Sequence, residues 1–287
     1  MTTGIISAPP NQTIAPIDWT ATPELSLVVP IFNEQENIAL LHERVSTTLT
    51  LIGRSYEIIA VDDGSNDRSF AILRELAEYD AHLRVVRLRR NFGQTAAFAA
   101  GFSRAHGDVV ITIDADLQND PADIPRLLQV LDSGYDVVSG WRKHRQDAFW
   151  SRTLPSCIAN RLISWATGVS LHDYGCSLKV YRREVLQNIQ LYGELHRFIP
   201  AIASWQGVSV AELPVHHMPR HAGKSKYGIG RTLRVLLDLL TVRFLLSYST
   251  RPMQIFGLIG LLSIAFGGLV AAYLATLKLL TGAALAN

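Results

Sequence analysis

Five short runs of aliphatic and β-branched residues lie between Leu25 and Gly140, each followed by polar residues or glycine: LSLVVPI, YEIIAVDDGS, LRVVRL, DVVITIDAD and YDVVSG. Runs of this length and composition predict buried strands. Between them, apolar residues recur at helical spacing over Glu36 to Leu51, Asp67 to Glu78, Gln94 to Ala105 and Pro121 to Leu131. Strands alternating with helices predict an α/β fold, a mostly parallel sheet covered by helices on both faces. A ligand binds such a sheet beyond the carboxyl ends of its strands, so the turns there are the place to look for chemistry.

The pattern changes after Tyr227. From Ile255 to Leu277 there is no formal charge, and a helix of that length rises about 35 Å, enough to cross a bilayer. The flank before it carries Arg220, Lys224, Lys226, Arg231, Arg234, Arg243 and Arg251 against the single acid Asp238. The positive-inside tendency then places the α/β domain on the cytoplasmic side of an inner or plasma membrane. Thr232 to Tyr248 is apolar with spaced charges, which suits helices lying along the interface, although an amphipathic core helix reads alike. The expected organisation is a flexible tail over 1–22, a catalytic domain over 23–227, interfacial helices over 228–251 and a membrane helix over 252–280.

Composition supports contact with lipid. Hydrophobic residues make up 48% and charged residues 18% of the 287 positions, with a mean hydropathy of +0.16. That excludes a disordered chain. Lys plus Arg number 27 against 25 for Asp plus Glu, so the net charge of +2 argues against a nucleic acid partner. Cys157 and Cys176 have neither CxxC spacing nor a disulfide framework.

The turn Asp114-Ala115-Asp116-Leu117-Gln118 directly follows DVVITI. Two carboxylates and an amide oxygen at a strand end can converge on a hard divalent cation, Mg2+ or Mn2+, that keeps sites open for phosphate oxygens. Asp62-Asp63-Gly64-Ser65 and Pro30 to Glu34 end two other strands on the same edge. Their polar groups suit a base or ribose, although Ser65, Asn66 and Asp67 could equally cap the next helix. Neither GxxxxGK[ST] nor GxGxxG follows a strand, so cations must hold any diphosphate. Candidates are Arg142 and the segment Arg220 to Tyr227. Arg152, Ser156 and Asn160 recur every four residues, one polar stripe on a helix. Asp173 is a lone acid in the turn HDYGC, and His196 with Arg197 precedes a further apolar helix. His216, His217 and His221 cluster without the partners a zinc site needs.

Taken in order, VVPIFNEQENI, IIAVDDGSND, RNFGQTAAFAAG, GDVVITIDADLQNDP, HDYGCSLKVYRR, ELHRFIP and GKSKYG followed by RPMQIFG resemble the family-2 glycosyltransferases of GT-A fold. Within them the chain is similar to the polyprenyl-phosphate hexosyltransferases related to dolichyl-phosphate mannose synthase and the bactoprenol glucosyltransferases. The resemblance implies a nucleotide-sugar donor, a polyprenyl (undecaprenyl) phosphate acceptor and a divalent metal, with inversion at the anomeric carbon and a homo-oligomeric assembly. It places Pro30, Asn33, Glu34, Asp62 and Asp63 at the nucleoside, and Asp114, Asp116 and Gln118 at the metal and diphosphate. Arg142, Arg152 and Ser156 fall near the acceptor phosphate, Arg220 and Lys226 over the donor diphosphate, and Asp173 near the sugar. UDP-glucose is the expected donor. GDP-mannose, a processive polysaccharide synthase and a catalytically silent membrane scaffold are the alternatives. The family carries two C-terminal membrane helices, where this sequence has one before Asn287.

Overall fold

The computed structural model describes residues 22–143, 163–164, 168–187, 189–191, 193–205, 207–219, 241 and 252–281. The expected tail over 1–22 falls almost wholly outside them, as do Arg152, Ser156, Asn160, Arg220, Lys226, His221 and nearly all of the interfacial segment. The chain divides into two compact units, Met1–Asp238 and Leu239–Asn287.

The first unit is built on seven strands: β1 (Leu25–Ile31), β2 (Tyr56–Asp62), β3 (Leu83–Arg87), β4 (Val109–Thr112), β5 (Val137–Trp141), β6 (Lys179–Arg182) and β7 (Val210–Pro214). They form one sheet in the order β3-β2-β1-β4-β6-β5-β7. Every pairing is parallel except the two made by β6, which runs against β4 and β5. All seven residues of β1 are buried, as suits a central strand covered on both faces. Leu25, Leu27, Val29 and Ile31 pack into one core and Val28 into the other, the two-residue alternation of a strand.

Helices α1 (Ile38–Ile52), α2 (Ser69–Tyr79) and α4 (Ile124–Asp132) contribute to the first core. Their apolar stripes follow helical spacing: Ile38, Leu41, Val45 and Leu49 on α1, and Ile124, Leu127, Leu128 and Leu131 on α4. Helix α3 (Gln94–Phe102), with Ala97 and Phe98, packs into the second core together with α5 (Arg183–Gln187) and α6 (Ile199–Trp205). The five strands and four helices named above are present, and the stretch SLKVYR, also read as a strand, forms β6. Strand β7 lies outside the runs read from the sequence: at this sheet edge its residues are half-buried or, at Pro214, exposed, and VAELP lacks a continuous apolar run.

The reversal of β6 decides the site. Because Lys179 of β6 pairs with Thr112 of β4 in antiparallel register, the residues that precede β6 lie on the same edge as those that follow β4. Asp173 to Leu178 therefore join the carboxyl-end turns of the other strands.

In the second unit, α7 (Pro252–Thr281) contains a 25-residue stretch, Phe256–Leu280, with mean hydropathy 2.2. It rises about 37 Å, long enough to span the roughly 30 Å hydrocarbon core. Its exposed large side chains include Phe256, Leu261, Ile264, Phe266 and Leu269, a surface suited to lipid.

Candidate active site

The turns after β1 and β2 are knitted together. Asn33, at a φ of 51°, accepts the Asn66 amide N–H on Oδ1 at 2.8 Å, while its own N–H donates to Ser65 Oγ at 2.9 Å. Ser69 Oγ accepts the Glu34 N–H at 2.9 Å, and Glu34 Oε2 accepts from Asn37 Nδ2 at 2.7 Å. Asp62 is fully buried, with Oδ1 accepting the Ser65 N–H and Oδ2 lying 3.5 Å from Arg87 Nε. Pro30 is the last residue but one of β1 and is buried inside the sheet. The same side chains that fix the backbone of these turns form a polar rim at one edge.

Asp63 engages both carboxylate oxygens with backbone, taking the Phe92 N–H at 2.8 Å and the Gly93 N–H at 2.9 Å. Burial pushes its carboxyl above the usual range despite these bonds. It joins the β2 turn to the stretch after β3. The two approach so closely that a Cβ on Gly64, whose φ is +68°, would lie 2.4 Å from the Arg90 carbonyl carbon. Between them opens a cleft of about 610 Å³ lined by residues 64–66 and 87–91, including Arg87, Arg89, Arg90 and Asn91. Sequence reasoning assigned no role to these arginines. The string RNFGQ was visible, but nothing in its spacing says which residues face a cleft.

In the turn after β4, Ala115 and Leu117 enter the core, leaving Asp114, Asp116 and Gln118 half-buried at the edge. Leu117 has a φ of 58°, a conformation that a bulky residue adopts only when its surroundings hold it there. The turn is pinned from neighbouring elements. Ser177 Oγ accepts from Asp114 N at 3.2 Å and Asn119 Nδ2 at 2.9 Å, and the Met218 N–H donates to Gln118 O at 2.8 Å. Asp116 Oδ1 accepts the Gln118 N–H at 3.2 Å. Burial raises the Asp114 carboxyl above its usual range, opposed by Ser177 and by the positive charges of Arg142, Lys179 and Arg197.

Among the described residues no group of three or more His, Cys, Asp or Glu forms a metal cage. Asp114 and Asp116 are two carboxylates on one turn, an all-oxygen donor set. Such a pair fits a Mg2+- or Mn2+-type ion that takes its remaining ligands from substrate phosphate and water.

Arg142 and Asp173 face each other as a forked ion pair, Nε to Oδ2 at 2.6 Å and Nη2 to Oδ1 at 2.9 Å. Asp173 is only 2% exposed. Burial works against the Arg142 charge, but Asp173 outweighs it and raises the guanidinium pKa. Asp173 also accepts the Gly175 N–H, and its own N–H donates to Glu212 Oε1. Beneath them the buried Lys179 Nζ donates to the carbonyls of Tyr174 and Cys176, with burial lowering its pKa. Cys176 is buried, its thiol pushed up to about 11. Arg142 and Asp173, read separately from the sequence, are thus brought together as partners.

His196 lies on the short 3-10 helix Leu195–Phe198, its Nδ1 2.6 Å from Thr95 Oγ1. His216 is tied to Asp123, its N–H donating to Oδ2 at 2.6 Å.

Residues 26–190 match the model of glycosyl transferase family 2. The dodecaprenyl-phosphate galacturonate synthase of Rhizobium johnstonii is 46% identical over 280 residues, covering 95% of this chain and 83% of that protein. The undecaprenyl-phosphate 4-deoxy-4-formamido-L-arabinose transferase of Yersinia enterocolitica is 41% identical over 260 residues, covering 90% and 78%. Among solved structures, glucosyl-3-phosphoglycerate synthase from Mycobacterium tuberculosis, in complex with Mn2+ and UDP-glucose, superposes with a TM-score of 0.60. It is 20% identical and covers 77% of this chain and 79% of its own, a likeness of fold.

Proposed function

Because this chain belongs to glycosyl transferase family 2, we propose that it is a membrane-attached, inverting enzyme that moves a sugar from a nucleoside diphosphate to a polyprenyl phosphate. Two relatives above 40% identity are named for polyprenyl-phosphate acceptors. The observation that carries the reading is the meeting, on one sheet edge, of Asp114 and Asp116 with the Arg142 and Asp173 fork, brought there by the antiparallel pairing of β6 with β4. One group of residues suits a metal diphosphate and the other an anionic acceptor with its sugar. The apolar helix Phe256–Leu280 anchors the chain in the membrane that holds such a lipid, and the basic flank argues for a catalytic domain on the cytoplasmic side.

The chemistry asks little of a general base. The nucleophile is an oxygen of a phosphate monoester, whose second pKa of about 6 leaves it mostly dianionic at neutral pH. What the site must provide is in-line placement of two mutually repelling anions. A divalent ion held by Asp114, Asp116 and Gln118 would supply the Lewis-acid charge that stabilises the departing nucleoside diphosphate. Asn33, Glu34 and Asp62 hold the nucleoside, Arg220 and Lys226 draw in the diphosphate, and Arg152 and Ser156 take the acceptor phosphate. Arg142, oriented by Asp173, adds a fixed positive charge between the two substrates.

For the sugar, a hexuronate on UDP is weighed above the glucose expected from resemblance. The 46% identical relative is named for galacturonate. Among the described cations near Asp114 is Arg197, whose side chain is 27% exposed and lies 3.6 Å from Glu194. Its planar fork has the geometry to take a donor carboxylate alongside Glu194, a role that substitution can test. The test is release of nucleoside diphosphate from UDP-galacturonate, UDP-glucose and GDP-mannose by the detergent-purified chain, with and without undecaprenyl phosphate and Mn2+. Release that needs both lipid and metal supports the transferase and names the donor. Nucleotide binding with no turnover of any donor would favour the silent scaffold instead.

A further inference from the structure

Gln94 and Thr95 are the first two residues of α3, and each grips a different part of the edge. Gln94 Nε2 donates to Asp114 Oδ1 at 2.6 Å, and Thr95 Oγ1 lies 2.6 Å from His196 Nδ1. Thr95 is buried at 5% exposure. The His196 ring also lies 5.8 Å from the Phe98 ring, one turn further along the same helix. On the other side, Asp63 holds the N–H groups of Phe92 and Gly93, the two residues that lead into α3. The start of this helix is therefore fixed from both directions, and the carboxamide it carries is aimed at one oxygen of the metal turn.

A free carboxylate rotates about its last single bond and offers either oxygen to a cation. A donor fixed on Oδ1 sets the plane of the group and so the directions in which the carboxylate can be offered to a cation. Hydrogen-bond partners of this kind change metal affinity about 10- to 100-fold when removed. We propose that Gln94 is a positioning residue that sets the divalent-cation affinity of Asp114, and that the Thr95 to His196 latch, with Asp63, holds it in place. The proposal rests on the reading that Asp114 and Asp116 bind a divalent cation.

The experiment measures Mn2+ binding to the full chain in detergent, without donor, from the paramagnetic resonance signal of free Mn2+. Wild type, Asp116→Asn, Gln94→Leu, Gln94→Asn, Thr95→Val and Thr95→Ser are compared, with thermal unfolding as a check on integrity. Gln94→Leu is expected to raise the Mn2+ Kd about tenfold. Gln94→Asn, whose amide is one methylene short, should weaken binding in the same direction and stands in if the leucine variant does not fold. Thr95→Val should weaken it less, and Thr95→Ser, which keeps the hydroxyl, should match wild type. Unchanged or tighter binding in both Gln94 variants overturns the proposal, and wild-type binding in Thr95→Val overturns the latch. If wild type and Asp116→Asn are alike in failing to bind Mn2+, the cation reading itself falls and takes this role with it.

Discussion

Arg142 and Asp173 sit 31 positions apart in sequence and meet as a two-point ion pair, with Nε to Oδ2 at 2.6 Å and Nη2 to Oδ1 at 2.9 Å. The pair exists because β6 is reversed: β5 delivers Arg142 to the edge as it ends, and the segment leading into β6 delivers Asp173 to the same place. Gly175 lies against it, where an added Cβ would stand 3.0 Å from Arg142 Nη2. A guanidinium held this way is a rigid positive charge rather than a mobile phosphate hook.

Removing the acid should therefore harm both stability and turnover. Asp173→Asn leaves a buried guanidinium with half its fork unmatched, and the loss of one partner of a buried pair costs about 3 kcal/mol. Denaturant unfolding of the purified chain should register that loss. Arg142→Lys should not restore turnover, because an ammonium cannot reproduce the fork. Wild-type kcat in the lysine variant would show that only charge is needed there.

Much of this edge was legible in the sequence, for specific reasons. Buried parallel strands read as unbroken apolar runs, so β1, β2 and β4 stood out, and the polar residues that end them marked Asn33, Asp62, Asp114 and Asp116. Partnerships across the sheet were not legible. Gln94 beside Asp114, Thr95 beside His196 and Ser177 beside the turn after β4 depend on strand order and on the reversal of β6, which no local pattern encodes. Asp63 illustrates the limit: its acidic character suggested a ligand for the nucleoside, whereas both of its oxygens are engaged by the backbone at the start of α3.

Gly64 is a second point where backbone geometry controls the site. Its φ is +68°, and an added Cβ would stand only 2.4 Å from the Arg90 carbonyl carbon, so there is no room for a side chain. Gly64→Ala should lower stability by about 1–3 kcal/mol from backbone strain and weaken UDP binding, since the turn that carries Ser65 and Asn66 must shift. Isothermal titration with UDP alongside thermal unfolding separates the two effects. Normal UDP affinity would detach the cleft beside this turn from the nucleotide site.

Donor choice offers a test of Arg197. If this guanidinium meets the carboxylate of a hexuronate, Arg197→Gln should lower kcat/KM for UDP-galacturonate about 10- to 100-fold, the loss of one charge-assisted contact worth roughly 1.5–3 kcal/mol. The neutral UDP-galactose should change much less. An equal fall for both donors would make Arg197 a structural partner of Glu194 instead.

At the opposite edge, Asp80 gives the fold a pH dependence. Burial alone would raise its carboxyl, but hydrogen bonds from His42 Nε2 at 2.8 Å and from the His82 backbone and ring outweigh it, and hold the pKa well below the usual range. A carboxyl depressed in the folded state stabilises fully above its unfolded pKa of about 3.9, and that contribution is lost as pH falls below it. Asp80→Asn should therefore unfold at a lower temperature than wild type at pH 7, with the gap narrowing toward pH 3. A gap independent of pH would mean that the asparagine disturbs packing rather than charge.

Substitution of Asp116 tests whether binding of the sugar nucleotide can be separated from its cleavage. It is half-buried, and one oxygen accepts the Gln118 N–H at 3.2 Å, so an isosteric amide can keep the turn folded. Asp116→Asn removes one of the two negative charges expected to hold the cation, while Asn33, Glu34 and Asp62 are untouched. Turnover should fall by at least about a hundredfold, the scale on which loss of transition-state charge stabilisation acts. Metal-independent affinity for uridine should stay the same, because the residues proposed to hold the nucleoside lie on the β1 and β2 turns. Raising Mn2+ should recover part of the rate if the remaining Asp114 still binds the ion weakly. Near-normal turnover at low Mn2+ would remove the cation from this turn and leave the leaving diphosphate to be neutralised by arginine and lysine alone.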